Sequence, residues 1–330
     1  MSSTKMLDSD KIGRAIRTLR KKAGMTQKEL ADQLFISTMA VSKWETGKSV
    51  PDTATLQNLA LILDMDVDGL LDGTATHLSD RWRGILHLEH TAVMAETPLF
   101  DKPLIDYLLS YFLLAGVRDI QIVCTTRDRA YIHRRFQGGE LLGIRLQCLA
   151  VEELAAWETL RVERSRDTDV MFISAPFFVY GVDLSRFFQR AMQHKNAVVR
   201  LASVVGSGGE KLREGFSNYE YQLLPISFFQ AATAAKLGGE LLISEAPLLG
   251  DIKGRLRMEP MDKGFVFSAL QDSQDVERVS ALVKIIQELG RYLIYCPPEI
   301  AWRRGMIDME TMKRGTAAFP EYREYAERCL

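Results

Sequence analysis

The residues best suited to a chemical task lie between Thr26 and Lys48, in the segment TQKELADQLFISTMAVSKWETGK. Thr26 with Glu29 three residues later forms a capping box, in which a hydroxyl and a carboxylate satisfy N–H groups at a helix start. Ser37 can cap a second helix, and Gly47 suits a left-handed C-terminal stop. Two short helices joined by a tight corner are typical of the helix-turn-helix that enters the major groove of DNA.

The outer side of the second predicted helix carries small or polar groups that can meet a base edge or a phosphate. Val41 and Trp44 lie three residues apart on its inner side, which leaves the remaining positions exposed. The predicted DNA-binding residues are Gln27, Ser37, Thr38, Met39, Ser42, Lys43 and Lys48. A small helical bundle that never touches DNA is the alternative interpretation of these residues.

A family resemblance adds to this interpretation. The spacing of Gln27, Ala31, the run VSKWE, Gly47 and Pro51 resembles the Xre/Cro/C1-type repressor domain over roughly residues 8–73. The resemblance implies an all-α unit of five helices that binds double-stranded DNA. The first helix is predicted from about Asp8 to Ala23, and the fourth is predicted to be capped by Asp52.

Composition places the chain among ordinary globular proteins. Its 330 residues predict about two domains, each large enough for its own core. Hydrophobic residues make up 47%, charged residues 26%, and the net charge is near −1, so the whole molecule is not a general binder of polyanions. Basic residues are nevertheless concentrated before Pro51, as a local DNA-facing surface requires.

Cysteine usage and hydropathy exclude several classes of protein. The four cysteines (Cys124, Cys148, Cys296 and Cys329) are dispersed and form no C-x-x-C pair, so neither a zinc site nor a disulfide framework is predicted. The chain shows no signal peptide and no apolar run of about 18 residues, so a cytoplasmic protein without a membrane partner is expected. No metal site and no cofactor are predicted.

Beyond a short linker rich in Thr and Ser, the pattern changes to apolar strands alternating with amphipathic helices. The predicted domains are residues 1–73 and 82–330, with residues 74–81 as the linker. The alternation, from a first strand at Gly84–Leu88 to a last one at Tyr292–Tyr295, predicts a Rossmann-like α/β domain with a mostly parallel sheet.

Three separated segments of the second domain carry a further resemblance: Phe100–Asp128, Gly239–Leu256 and Cys296–Asp308. They resemble the sugar nucleotidyltransferases, and glucose-1-phosphate thymidylyltransferases most closely. The family fold is therefore expected over this domain. The family's activity, as the resemblance implies it, joins a nucleoside triphosphate to a sugar 1-phosphate with the help of Mg²⁺.

The residues that this chemistry needs are replaced. The segment after the first strand, EHTAVMA, contains no glycine, although a phosphate-binding turn needs backbone N–H groups at close approach. Met94 stands where the family has a lysine, and Ala175 and Ala269 stand at or beside its two metal-binding aspartates. Asp272, three residues further on, is no obvious substitute. We therefore expect the second domain not to be an enzyme.

Some ligand-binding positions of the family persist: Tyr180, Gly181, Glu210 and Lys211. The sequence therefore predicts a transcription regulator whose second domain senses a nucleotide sugar or sugar phosphate, dimerises, or does both. One alternative is a regulator whose second domain only dimerises, and another is an active nucleotidyltransferase with a DNA-binding appendage. A homodimer or higher homo-oligomer is expected in the first two cases.

Overall fold

The computed structural model divides the chain into two compact units, Met1–Arg81 and Trp82–Leu330. It describes residues 8–63, 65, 67–73, 81–88, 93–153, 169–174, 176–181, 183–194, 198–205, 220–229, 256–261, 264–290 and 293–323. Each unit has its own buried core, so each is described by itself.

The first unit is helical, as predicted. Its helices are α1 (Ser9–Lys22), α2 (Gln27–Gln33), α3 (Thr38–Glu45), α4 (Thr53–Ile62) and α5 (Val67–Leu71). Their apolar faces meet in one core that includes Ile12, Ile16, Leu19, Leu30, Val41, Trp44, Leu59 and Leu70. The five-helix expectation is confirmed within the described residues.

Side-chain caps set where these helices begin. Asp8 accepts a hydrogen bond from the N–H of Lys11 at 3.1 Å, and Asp52 accepts one from Thr55 at 2.9 Å. Each carboxylate satisfies a backbone donor that the first helical turn leaves unpaired. The polar residues before each apolar stripe therefore define the helix boundaries.

The second unit is an α/β structure. Its helices are α6 (Leu104–Ala115), α7 (Thr126–Phe136), α8 (Leu184–Gln193), α9 (Ser273–Gly290), α10 (Pro297–Arg303) and α11 (Met309–Ala318). Its strands are β1 (Trp82–His87), β2 (Pro98–Leu99), β3 (Lys102–Pro103), β4 (Asp119–Cys124), β5 (Arg145–Ala150), β6 (Asp169–Ile173), β7 (Phe177–Tyr180), β8 (Val198–Val205), β9 (Glu220–Phe229), β10 (Leu256–Met261) and β11 (Val266–Ala269).

Seven strands form the main sheet in the order β10-β8-β9-β6-β1-β4-β5. Four neighbouring pairs are parallel, and β9 runs antiparallel to both β6 and β8. The predicted mostly parallel sheet is therefore confirmed. β7 and β11 form a separate antiparallel ribbon, and β2 and β3 form a short hairpin.

One predicted strand is wrong. Residues 293–295 are not in a strand, although the apolar run Tyr292–Tyr295 favoured one. Tyr295 instead has a φ of 53°, which no extended strand permits. Its hydroxyl donates to the carbonyl oxygen of Val179 at 2.6 Å, so the residue anchors β7 from the side.

A buried polar cluster connects the segment after α11 to α6 and α7. Arg135 Nε and Nη2 each donate to the Asp106 carboxylate at 2.7 Å, and Tyr322 Oη hydrogen-bonds to the same carboxylate. Arg135 Nη1 also reaches Glu321 at 3.3 Å. Asp106 is fully buried, so its charge depends on these partners.

Among the described residues, no helix is both long enough and apolar enough to cross a lipid bilayer.

Candidate functional site

The helix-turn-helix segment is held by close packing between α1 and α3. Trp44 lies in the core with 7% of its surface exposed. A Cβ atom on Gly13 would lie 2.2 Å from the Trp44 carbonyl oxygen, so only glycine permits this approach of α1 to α3. The orientation of α3 therefore depends on a residue that lies outside the helix-turn-helix itself.

A buried ion pair fixes the far end of α3. Arg20 Nε donates to Glu45 Oε1 at 2.5 Å and Nη2 donates to Oε2 at 3.1 Å. Burial raises the pKa of Glu45, but hydrogen bonds from Arg20 and Gln27 outweigh it and hold that pKa below the ordinary value. Gln27 Nε2 supplies its bond at 2.8 Å, which links the start of α2 to the end of α3.

The predicted capping residues have the predicted geometry. The Thr26 hydroxyl accepts from the Glu29 N–H at 3.1 Å, and the Glu29 carboxylate accepts from the Thr26 N–H at 2.6 Å. Ser37 caps α3 by accepting from the N–H of Ala40 at 3.2 Å. Gly47 follows α3 with a φ of +71°, as its predicted left-handed role requires.

The structure distinguishes two groups among the predicted DNA-binding residues. Exposed residues are Ser37, Thr38, Met39, Lys43 and Lys48, and half-buried residues are Gln27 and Ser42. We call these exposed residues at and around α3 the recognition surface. Gln27 lies at the start of α2, and its amide nitrogen is bonded to Glu45 at the end of α3.

Phe35 belongs to the same surface and was not among the predicted residues. It lies in the turn between α2 and α3 with a φ of 55°, and 96% of its surface is exposed. In the sequence, this residue could have been identified as an aromatic residue in a tight turn, where glycine or asparagine is usual.

In the second unit, Ala269, one of the two positions predicted to replace a family aspartate, lies at one end of the β7–β11 ribbon. Ala269 is paired with Phe177, and the Leu270 N–H donates to the Pro176 carbonyl oxygen at 3.1 Å. Ala175, next to Pro176 in the chain, lies outside the described residues. The ribbon therefore places Ala269 close to Phe177 and Pro176.

Asp272 caps the start of α9. Its Oδ1 accepts the N–H groups of Gln274 at 2.9 Å and Asp275 at 3.0 Å. The described residues contain no group of three His, Cys, Asp or Glu side chains placed to hold a metal ion.

The segment after β1 is also committed to protein contacts. The N–H of Met94 donates to Thr97 Oγ1 at 3.0 Å, and the N–H of Ala95 donates to Asp128 Oδ1 at 2.9 Å. These two backbone donors are therefore engaged within the unit. Residues 89–92 lie outside the described part of the chain.

The predicted ligand-binding residues are only partly described. Tyr180 is paired with Val266, three residues along the ribbon from the Phe177–Ala269 pair and so about 10 Å away. A Cβ atom on Gly181 would lie 2.2 Å from the ring of Phe265, so the ring covers this glycine. Glu210 and Lys211 lie outside the described residues.

Fold and site together define a class: a helix-turn-helix unit joined to a nucleotidyltransferase-like α/β unit. Residues 16–70 match the family described as Helix-turn-helix. The same region is similar to the HTH-type transcriptional activator BcrR of Enterococcus faecalis, with 38% identity over 58 residues, 18% of this chain and 28% of that protein. These matches support a DNA-binding transcription regulator.

The rest of the chain is similar to glucose-1-phosphate thymidylyltransferases. The protein of Neisseria gonorrhoeae is 25% identical over 242 residues, which cover 65% of this chain and 84% of that enzyme. A crystal structure of a Bacillus anthracis protein assigned to the same enzymes aligns with 61% of this chain and 94% of its own, with a TM-score of 0.47 and 14% identity. The chain thus combines an Xre-type helix-turn-helix with a thymidylyltransferase-like unit.

Proposed function

We propose that this protein is a sequence-specific DNA-binding regulator whose second unit no longer transfers nucleotidyl groups. In this proposal the second unit binds a nucleotide sugar or sugar phosphate and also holds two copies of the chain together. The observation that carries the proposal is the contrast between an exposed recognition surface and a nucleotidyltransferase-like site whose ligand positions are replaced.

The recognition surface supports DNA binding through its charges and its rigidity. Lys43 and Lys48 are exposed on the same surface as the start of α3, so they can neutralise phosphates while α3 enters the groove. The Arg20–Glu45 pair and the Gly13–Trp44 contact hold α3 in place before DNA arrives. A preformed surface loses less conformational freedom on binding.

The loss of transfer is supported by two kinds of replacement. Ala269 offers no ligand to a metal, and Asp272 already caps a helix. Met94 offers no charge to a phosphate, and its N–H is bonded to Thr97. Transition-state charge at the α-phosphate would therefore be poorly stabilised.

Sensing requires that a ligand favour one arrangement of the regulator over another. Tyr180, Gly181, Glu210 and Lys211 are the residues proposed to bind it. The useful output is a change in the spacing of two recognition helices, because paired half-sites lie about 34 Å apart on DNA.

Self-association is supported by the outer face of α9. Ile285 is 54% exposed and Leu289 is 83% exposed, and they lie one turn apart on the same face. Arg278 and Glu288, near the two ends of this face, are already ion-paired within α9 with Asp275 and Lys284. The support for self-association is therefore the exposed apolar pair, which a two-fold axis across α9 would bring against its own copy.

DNA binding is tested by selecting duplexes from a random library with the full-length protein and measuring their affinity by fluorescence anisotropy. We expect one preferred sequence with two half-sites. Equal affinity for all duplexes, or none, would contradict the proposal. Adding nucleotide sugars to the selected complex then measures the coupling between the two units.

The absence of transfer is tested by incubating the protein with dTTP or UTP, glucose 1-phosphate and Mg²⁺ and measuring pyrophosphate. We expect no turnover above the rate without protein. Sustained turnover would favour the second candidate function, an active nucleotidyltransferase with a DNA-binding appendage.

Ligand binding is tested by calorimetry with nucleotide sugars and sugar phosphates. Lys211→Ala should abolish the heat of binding, and Lys313→Ala, an exposed lysine on α11, is the matched control. Binding that is unchanged in Lys211→Ala would exclude Lys211 as a ligand contact. No binding of any ligand would leave a regulator whose second unit only dimerises.

The α9 interface is tested by light scattering on Ile285→Asp. We expect this variant to be a monomer at concentrations where the unmodified chain is a dimer. Val266→Asp, which changes an apolar residue 37% exposed on β11, is the matched control and should stay dimeric. A monomeric unmodified chain, or a dimeric Ile285→Asp variant, would exclude this interface.

A further inference from the structure

The recognition surface carries two large apolar side chains at the start of α3. Phe35 is 96% exposed and Met39 is 68% exposed. Within the described residues of the first unit, these are the large hydrophobic side chains that the core leaves uncovered. A surface that only bound phosphates would need neither of them.

Phe35 is also held in an unfavourable backbone conformation. Its φ of 55° lies in the left-handed region, which L-residues other than glycine and asparagine rarely adopt. The ring gains almost no burial in return, so the fold does not explain it. A strained and exposed residue beside a binding surface points to a contact with the partner.

One polar side chain at the start of α3 is already engaged inside the unit, since Ser37 Oγ accepts from the Ala40 N–H. Thr38, the first residue of α3, is exposed. The large side chains exposed at this end are Phe35 and Met39, which can neither donate nor accept a strong hydrogen bond.

In the major groove, the base-pair feature that such side chains can recognise is the C5-methyl group of thymine. The other groups that the bases present there are hydrogen-bond donors and acceptors, which an apolar side chain cannot pair with. The N-terminal residues of a recognition helix are those that contact base edges. Met39, the second residue of α3, and Phe35, in the turn before it, both lie at this end.

We propose that Met39 and Phe35 contact thymine C5-methyl groups, so that each half-site carries thymine where the start of α3 meets the major groove. This inference rests on the proposed DNA-binding function and specifies its base preference. 5-Methylcytosine carries the same methyl group, beside an N4 donor where thymine has its O4 acceptor. We assign the contact to thymine, the base of unmodified DNA that carries this methyl group.

The test uses the full-length protein and the duplex selected from a random library. Each thymine is replaced in turn by deoxyuridine, which removes only the C5-methyl group, and Kd is measured at fixed salt. We expect one or two positions in each half-site to bind about fourfold more weakly, as the loss of one buried methyl group implies. The other thymines should change Kd little.

Variants assign each methyl group to a side chain. In Met39→Ala, deoxyuridine should no longer weaken binding at the thymine that Met39 contacts. In Phe35→Asn, the same should hold at the thymine that Phe35 contacts. Both side chains are exposed, so both variants should fold. Met309→Ala, which changes a methionine 40% exposed at the start of α11, is the matched control and should keep the unmodified profile.

Two results would overturn the inference while leaving DNA binding intact. One is a protein that binds its selected duplex but tolerates deoxyuridine at every position. The other is a Met39→Ala variant that keeps the full deoxyuridine effect. Failure to select any duplex would instead overturn the proposed function itself.

One further substitution separates the two sources of the methyl group. A 5-methylcytosine–guanine pair at the thymine position should bind more tightly than an unmethylated cytosine–guanine pair, because it supplies the same methyl group. Equal binding of these two duplexes would overturn the methyl contact, and binding of 5-methylcytosine tighter than that of thymine would overturn the assignment to thymine.

Discussion

Each unit buries an arginine against a carboxylate, and the two pairs hold different parts of the molecule. In the first unit, Arg20 and Glu45 fix the end of α3 and bond to Gln27 at the edge of the recognition surface. In the second unit, Arg135 and Asp106 hold Tyr322, in the segment after α11. Only the first of these pairs bonds to a residue predicted to bind a partner.

The two candidate sites also differ in which of their groups the internal hydrogen bonds occupy. At the recognition surface, internal hydrogen bonds position α3 and leave Thr38, Met39 and Lys43 exposed. At the nucleotidyltransferase-like site, the polar groups themselves are engaged in internal hydrogen bonds. The Met94 and Ala95 N–H donors and the Asp272 carboxylate all have protein partners. A binding surface requires that its own groups remain free for a partner, while hydrogen bonds hold the residues around it.

The largest expected effect breaks the ion pair of the first unit. Glu45→Ala leaves the Arg20 charge buried without its partner, so we expect the free energy of unfolding of this unit to fall by about 3–5 kcal/mol. Hydrogen exchange followed by mass spectrometry measures this as lost protection in peptides from residues 8–63.

Asp106→Ala is the matched change in the second unit. Its loss of protection should appear in peptides from α6 and α7, because Arg135 on α7 then loses its partner. If Glu45→Ala leaves the exchange of α3 unchanged, the Arg20–Glu45 pair does not hold the recognition surface.

A smaller effect is expected from crowding α1 against α3. Gly13→Ala places a methyl group 2.2 Å from the Trp44 carbonyl oxygen, so one helix must move. We expect a loss of about 1–3 kcal/mol in the free energy of unfolding, together with weaker DNA binding. Urea denaturation followed by tryptophan fluorescence and anisotropy measure the two effects.

Gly138→Ala is the matched control, because a Cβ atom there would have no neighbour within 4 Å. Its stability should change by less than about 0.5 kcal/mol. Unchanged stability in Gly13→Ala would mean that α1 and α3 can separate without loss.

Much of this arrangement could be predicted from the sequence, because local chemistry decides it. The capping box at Thr26, the Ser37 cap and the left-handed Gly47 are all confirmed. The α6 bounds, Leu104–Ala115, also match the apolar run before Gly116. Such features depend on residues within a few positions of one another.

Features set by distant contacts were not predictable in the same way. Tyr295 ends a β-like run, yet its hydroxyl bonds to Val179 and the predicted strand does not form. Gln27 was predicted to contact DNA, and only the fold shows its amide bonded to Glu45. Phe35 required the observed φ and exposure, because an aromatic residue type alone does not show whether its ring is buried.

A still smaller effect separates phosphate contacts from base contacts at the recognition surface. If Lys43 holds one phosphate, Lys43→Ala should weaken binding to all duplexes similarly, by roughly 1 kcal/mol, and reduce the salt slope by about one unit. Anisotropy titrations at several salt concentrations measure this slope.

Lys313→Ala, on α11, should leave the salt slope unchanged. A slope unchanged in Lys43→Ala as well would place Lys43 away from the DNA backbone. A variant that binds its preferred duplex normally but loses affinity for random duplexes would equally contradict a phosphate contact.

The smallest expected effect is a gain rather than a loss of stability, and it is tested on two phenylalanines with similar φ angles. Phe35→Asn should raise the free energy of unfolding of the first unit by roughly 0.5–1 kcal/mol, because asparagine tolerates a φ of 55° and the ring is 96% exposed. At Phe100, with a φ of 66° but an exposure of 41%, relief of strain is offset by lost burial, so Phe100→Asn should bring no gain. Urea midpoints measure both. A gain at Phe35 together with weaker DNA binding would show that the first unit keeps a destabilising ring because its partner needs it, whereas a loss of stability at Phe35 would assign the ring to the fold.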